Sequence, residues 1–274
     1  MRMLICSIGT KQRNHTLGFG AEVAAALASQ VTLLGVVDNQ RKIGKLETAL
    51  NQVATELSLH VPDIHVQVVA GDPETTIQAQ MATITYDLVA LGALATKRAR
   101  KTLFETVGMR LIEQATTSVL LIKGNRQHLS RVLICASGTE HGHMSVWAGA
   151  ALACGAQAEA TVLHVTDAMP AMYAGLEQME ETLSELLQSD TEPSRELKWA
   201  AQVVKAECEP SELKLRRGIV ADEILREGQV GDYDLIVIGS PQRAKGLMRA
   251  VMGNVTRTVT SRAQRPVLVV RPMD

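Results

Sequence analysis

The chain repeats itself, and that repeat most narrows what it can fold into. RMLICSIGT begins at Arg2 and RVLICASGT begins at Arg131. The offset of 129 residues holds without a gap through VTLLGVVD, ending at Asp38, and ATVLHVTD, ending at Asp167. Roughly a third of the aligned residues are identical, including Cys6 with Cys135, Gly9 with Gly138 and Thr10 with Thr139. The match resumes at an offset of 147, where AGDPETTIQAQMATITYDLVALG (from Ala70) parallels RGIVADEILREGQVGDYDLIVIG (from Arg217). There Tyr86-Asp87 meets Tyr233-Asp234 and Gly92 meets Gly239. The change of offset places an insertion of about 18 residues in the second half. A period this long marks a duplicated domain, not a solenoid repeat. The polar stretch KGNRQHLS separates the copies, giving domains at 1–125 and 130–274.

Each copy alternates strand and helix. In the first, MLICSI, QVTLLGVV, IHVQVVA, DLVALG and SVLLIK are short, apolar on both faces and rich in β-branched residues. Those are the marks of buried parallel strands. Ala-rich or amphipathic segments lie between them, and Asp72-Pro73 reads as a helix cap followed by a first helical residue. RVLICA, EATVLHV, LKLRR, DLIVIG and PVLVVR repeat the pattern. The added length falls in a helical region broken near Asp190 to Pro193. With right-handed crossovers, each copy becomes an α/β, Rossmann-like, doubly wound sheet of five parallel strands, two in tandem.

Composition excludes several classes. A formal net charge of −1 gives no global field toward nucleic acid or an anionic membrane. No apolar stretch approaches the ~18 residues of a membrane span, and MRMLICSIGT reads as a first strand rather than a signal peptide. Cys6, Cys135, Cys154 and Cys208 are scattered without a C-x-x-C, as buried reduced thiols of a cytoplasmic protein would be.

The second copy ends in a recognisable series: DLIVIGS, a Gly-containing loop, then GLMRAVMGNVT and a final RPVLVVR. This resembles the universal stress protein family, here as a tandem two-domain member. The resemblance implies strand order 3-2-1-4-5 in each domain and pairing of domains through their last strands. It implies a role in stress survival or signalling, usually without strong enzymatic activity. Some members bind ATP or another adenine nucleotide through a loop of the form G-x-x-G-x9-G-[ST], and others do not. Carried onto this chain, Gly239, Ser240, Arg243, Gly253, Asn254 and Val255 would hold phosphates and ribose, and Val165 would touch the base. The match is partial. The second glycine position falls at Gln242-Arg243, the span from Gly239 to Gly253 is one residue too long, and Asn254 stands where a hydroxyl is expected. The Asp that binding members carry after the first strand is missing from both copies, which have Ile8 and Ser137 there.

Three readings follow. The first is a sensor holding an adenine nucleotide (ATP, ADP or AMP) in the second domain, with the phosphates near helix N-terminal geometry. The second is a ligand-free scaffold acting on a protein partner, its halves forming an intramolecular pseudo-dimer through SVLLIK and PVLVVR, with a homodimer as an extension. The third is a slow ATP hydrolase, but no carboxylate or lysine stands beside the loop as base or metal ligand. No catalytic residue is assigned.

In the first copy the basic run Lys97, Arg98, Arg100 and Lys101 replaces the middle glycine and reads as a solvated charged loop. No aromatic residues interleave it for base stacking. His141 and His143 lack the further ligands of a zinc site, so no metal is expected. His164 reads as a core or rim histidine, which the resemblance places near the adenine pocket. Met169, Met172 and Met179 read as core packing.

Overall fold

The repeated Tyr-Asp pair does the same work twice. Asp87 Oδ2 accepts the Arg2 N–H at 2.7 Å, and the Asp87 N–H returns to the Arg2 carbonyl at 2.9 Å. Asp234 Oδ2 accepts the Ser130 and Arg131 N–H groups at 2.9 and 3.0 Å, and the Asp234 N–H returns to the Arg131 carbonyl at 2.9 Å. Each carboxylate therefore fastens the start of a first strand to the start of a fourth.

The computed structural model describes residues 1–8, 14–61, 63–92, 107–112, 117–137, 142–166, 183–240 and 246–271, with side chains at 14–16 and 246–252 excepted. The chain divides into two units, Met1–Leu129 with Ala263–Asp274, and Ser130–Arg262. In the first, β1 (Arg2–Ile8), β2 (Gln30–Val37), β3 (Ile64–Ala70), β4 (Leu88–Gly92) and β5 (Ser118–Ile122) run parallel in the order β3-β2-β1-β4-β5. In the second, β6 (Arg131–Ala136), β7 (Glu159–Thr166), β8 (Ser211–Arg217) and β9 (Leu235–Gly239) run parallel in the order β9-β6-β7-β8. The last strand of the second repeat, β10 (Val267–Val270), belongs to the first unit. It lies antiparallel on β5, with Val267 opposite Leu121 and Val269 opposite Val119. Beyond it the Arg271 N–H reaches Ser118 Oγ at 3.0 Å. Sequence repeat and contact unit thus differ over 263–274.

The helices fall where the sequence places them: α1 (Asn14–Ala26), α2 (Ile43–Leu57), α3 (Pro73–Thr83) and α4 (107–112), then α5 (His143–Ala156), α6 (Leu183–Gln188), α7 (Glu192–Glu207), α8 (Val220–Val230) and α9 (Gly246–Arg262). Asp72 caps α3 by accepting the Thr75 N–H at 3.0 Å, with Pro73 next. Thr191 caps α7, so the inserted helical region breaks at 189–191. The central strands are fully buried on both faces, including Leu4, Leu33, Val89, Leu133, Val162 and Val237, as a sheet covered by helices requires.

Helix and sheet approach closely at a repeated glycine. A Cβ on Gly149 would stand 2.6 Å from Ile134, and one on the equivalent Gly20 would stand 3.1 Å from Ile5.

A polar cluster joins β8 to α8. Glu227, 2% exposed, accepts from Lys214 at 3.1 Å, from Tyr233 at 3.2 Å and from the Arg216 guanidinium. Burial pushes the Glu227 carboxyl up, but the hydrogen bonds and charges of Arg216 and Lys214 outweigh it and hold its pKa below the ordinary carboxylate value. The first unit has a neutral pair at the equivalent positions, Gln80 donating to the Tyr86 hydroxyl at 3.0 Å.

Cys6 and Cys208 are buried, Cys135 is half-buried, and Cys154 is exposed, contrary to the expectation of uniform burial; all four are free thiols. Cys154 sits near the end of α5, where its position on the helix turns it outward. No helix among the described residues is long and apolar enough to cross a membrane.

Candidate functional site

In the second unit the strand order reverses direction at β6 and β9, and ligands of open α/β sheets bind outside the carboxyl ends of strands at such a switch point. A cavity of about 230 Å³ lies there. Cys135, Ala136 and Ser137 at the end of β6 form its floor, together with Leu163 and Val165 of β7 and Ile238 and Gly239 of β9. Val220 and Ile224, one turn apart on α8, line one side. Val255 and Thr256 of α9 line another, and Gly142 and Ser145 at the start of α5 complete the lining.

Side chains alternate across a strand, so Leu163 and Val165 share a face and His164 takes the opposite one. His164 is therefore not among the lining residues. It is buried, its Nδ1–H donates to the Ala136 carbonyl at 3.0 Å, and burial lowers its pKa below the ordinary imidazole value despite that bond. As expected of a core or rim histidine near the pocket, it is buried behind the wall and braces it through Ala136. Burial raises the Cys135 thiol pKa, so the group stays protonated. The Ser145 hydroxyl donates to the Gly142 carbonyl at 2.7 Å. A Cβ on Gly142 would meet Ser137 Oγ at 2.6 Å, so only glycine lets the loop return this close to β6.

Of the residues marked out in the sequence, the structure brings Val165, Gly239 and Val255 together around this cavity. Ser240 follows directly; it is 7% exposed and its Oγ has no hydrogen-bond partner among the described residues. Gly253 and Asn254 are the eighth and ninth residues of α9, inside the helix rather than at its N-terminus. Amides so placed are engaged in the i to i−4 ladder. Asn254 is exposed, and nothing stands within 4 Å of where a Gly253 Cβ would lie. Arg243, His141, the basic run 97–101 and Met169, Met172 and Met179 lie outside the described residues.

The sequence did not single out Cys135, Ser145, Val220, Ile224 or Thr256 as site residues. The spacing of Val220 and Ile224, both on one face of α8, was the available signal. His143 has a different use from metal binding: it contacts Glu196 and stacks on Trp199 with ring centroids 3.8 Å apart. No group of three or more potential metal ligands occurs among the described residues.

The model of the universal stress protein family matches residues 1–123 and again 128–271. The chain belongs to the universal stress protein family. Its tandem arrangement matches solved structures of the same length. One, a protein of Pseudomonas aeruginosa UCBPP-PA14 assigned to the universal stress proteins, is 21% identical with a TM-score of 0.71, covering 99% of this chain and 93% of that one. A protein of unknown function from Pseudomonas aeruginosa PAO1 is also 21% identical, with a TM-score of 0.69 over 98% and 92% of the two chains. A universal stress protein from Archaeoglobus fulgidus DSM 4304 is 18% identical, with a TM-score of 0.61 over 100% and 97%. At these identities the structures establish the shared fold. No curated protein matches the chain. The Rossmann-like reading of this tandem universal stress protein is thereby borne out.

Proposed function

We propose that this universal stress protein is a cytoplasmic, non-catalytic sensor that holds an adenine nucleotide in its second unit. The observation that carries the reading is the cavity at the β6–β9 switch point, lined by Val165, Gly239 and Val255 together. The base occupies the apolar slot between β7 and α9, and Ser240, buried without a partner among the described residues, is a polar group for the ribose side. The role in stress signalling rests on family membership.

The scaffold reading is favoured by a separate observation, the antiparallel pairing of β10 on β5, which joins the last strands of the two sequence repeats. It is compatible with ligand binding, and a homodimer built on it is a further step.

The test is to purify the protein without added nucleotide, denature it and identify any released small molecule by mass spectrometry. A stoichiometric adenine compound supports the reading. An empty protein is then titrated with ATP, ADP, AMP and adenosine, where saturation at ~100-fold above Kd stabilises a binding-competent fold by about 2.7 kcal/mol. An empty protein with no thermal shift at millimolar ATP, ADP, AMP or adenosine rejects the sensor and leaves the scaffold.

A further inference from the structure

We propose that the cavity of the second unit takes an uncharged ring system, a nucleoside or free base, in preference to the phosphorylated nucleotide. This rests on the adenine reading above and specifies which form of the compound the site recognises.

Four observations carry it. First, Cys135 is the only ionisable side chain among the described lining residues, and burial keeps it a neutral thiol. His164, behind the wall, also stays neutral for the same reason. A phosphate chain brought against these described residues meets no cation among them, and an unpaired charge is strongly disfavoured in a low-dielectric setting. Second, the amides that the family loop would offer at Gly253 and Asn254 are not presented. Gly253 and Asn254 lie in the interior of α9, and neither lines the cavity. Third, apart from Cys135, the described lining residues with polar side chains are Ser137, Ser145 and Thr256, all hydroxyl-bearing. A hydroxyl serves as donor or acceptor and suits the edge of a neutral heterocycle or a ribose hydroxyl. Ser145 gives its proton to the Gly142 carbonyl, which leaves its lone pairs to accept. Fourth, about 230 Å³ falls below the ~300–1,000 Å³ usual for pockets that enclose whole drug-sized ligands, so the space suits a ring system better than a nucleotide with its phosphates.

The two repeats supply the variant. Val255 stands two residues after Gly253, and Arg110 stands two residues after Gly108 in the first copy. Val255→Arg thus adds to the wall a cation that the other repeat carries at the equivalent position.

The experiment measures binding of adenosine, AMP and ATP, with and without Mg²⁺, to the full chain by calorimetry at 50 and 500 mM salt. The expected result is that adenosine binds at least tenfold more tightly than ATP, with less than a twofold change across the salt range. Val255→Arg should shift the adenosine-to-ATP preference at least tenfold toward ATP. If that variant does not fold by circular dichroism, the wild-type order decides alone. ATP binding as tightly as adenosine, or more tightly, overturns this inference while leaving the adenine reading intact. It would assign the phosphates to the cations Arg243 and Lys245 that follow Ser240 in sequence. Binding of none of the three compounds overturns the adenine reading itself, and this inference with it.

Discussion

Glu74 of the first unit corresponds to Ala221 of the second, and Arg110 corresponds to Val255. In the first unit these residues form an ion pair at 2.7 Å that ties α3 to α4. In the second, their replacement by alanine and valine leaves α8 and α9 free of that tie, and Val220 and Val255 become walls of a cavity. The polarity is inverted one layer away. There the first unit keeps the neutral Gln80–Tyr86 pair and the second builds Lys214, Arg216 and Tyr233 around the buried Glu227. Duplication preserved the strands and the Asp87 and Asp234 fastenings. It moved the charge from the switch point to the β8 edge. The second copy thus has a cavity whose described lining carries no charged side chain, and a paired charge cluster at the β8 edge.

The sharpest way to break this comparison is at Glu227. Glu227→Ala leaves Lys214, Arg216 and the Tyr233 hydroxyl without their shared acceptor. Its expected cost is about 2–4 kcal/mol, toward the low end of buried-pair losses because both cations are partly solvated. Gln80→Ala removes one neutral hydrogen bond and costs about 1 kcal/mol. Denaturant unfolding of the two variants should show the larger shift for Glu227→Ala; equal shifts would mean the charged cluster adds nothing over the neutral pair. The cluster also sets a pH window. Because the folded Glu227 pKa is depressed, its contribution is complete above the unfolded value of about 4.3 and is lost as pH falls through the folded value. Glu227→Gln removes that acid-limb dependence.

A smaller difference is expected at the repeated glycine. An alanine at 149 presses on three atoms of Ile134, which is fully buried, whereas one at 20 meets chiefly the terminal Cδ1 of Ile5. Overpacking less the helical gain of alanine gives a net loss of about 1–2 kcal/mol for Gly149→Ala and a change within about 1 kcal/mol for Gly20→Ala. Thermal denaturation of the pair checks the order, and a reversal would place the tighter helix–sheet contact in the first unit.

Most of the fold was legible because it rests on local pattern. The apolar runs of all ten strands, the Asp72-Pro73 start of α3 and the break before Pro193 follow from burial, capping and proline geometry. The pairing of PVLVVR on SVLLIK was legible only through the family resemblance, and the strand register and the grouping of β10 with the first unit are long-range choices that an apolar run does not encode. The site was half legible. Val165, Gly239 and Val255 follow from strand ends and a family loop. Gly253 and Asn254, given a phosphate role by the family loop, lie inside a helix, as the helical pattern running through GLMRAVMGNVTRTVTSR implies. His164, read as a core or rim histidine, is buried behind the pocket wall, where strand alternation reverses its direction relative to Val165.

That reversal makes a titration experiment. Gly35 occupies the His164 position in the first unit, packed so closely against Leu46 that a Cβ would stand 2.7 Å away. Only the second unit therefore carries a buried imidazole here. Its folded pKa is depressed, so protonation favours the unfolded chain, and the second unit should lose stability as pH falls below about 6.5. His164→Asn should abolish that slope between pH 7.5 and 5.5. A slope that survives the substitution assigns it to another group.

The smallest effect is expected at Arg110 and Glu74. The pair is partly solvated, with the arginine side chain 52% exposed, so a double-mutant cycle of Arg110→Val and Glu74→Ala should give a coupling of about 0–1 kcal/mol. Its small size is the point of the measurement. If the pair contributes little to stability, the first unit loses almost nothing by taking the residues of the second, and the double variant tests whether an uncharged wall is enough to make a site. Adenosine binding is then measured on the double variant carrying Val255→Trp, which fills the second cavity. Recovered binding would show that the two repeats differ at the switch point chiefly by this ion pair. No recovery would assign the difference to the floor, where Ile8 in the first copy stands in place of Ser137 and withholds the hydroxyl that a polar ring edge needs.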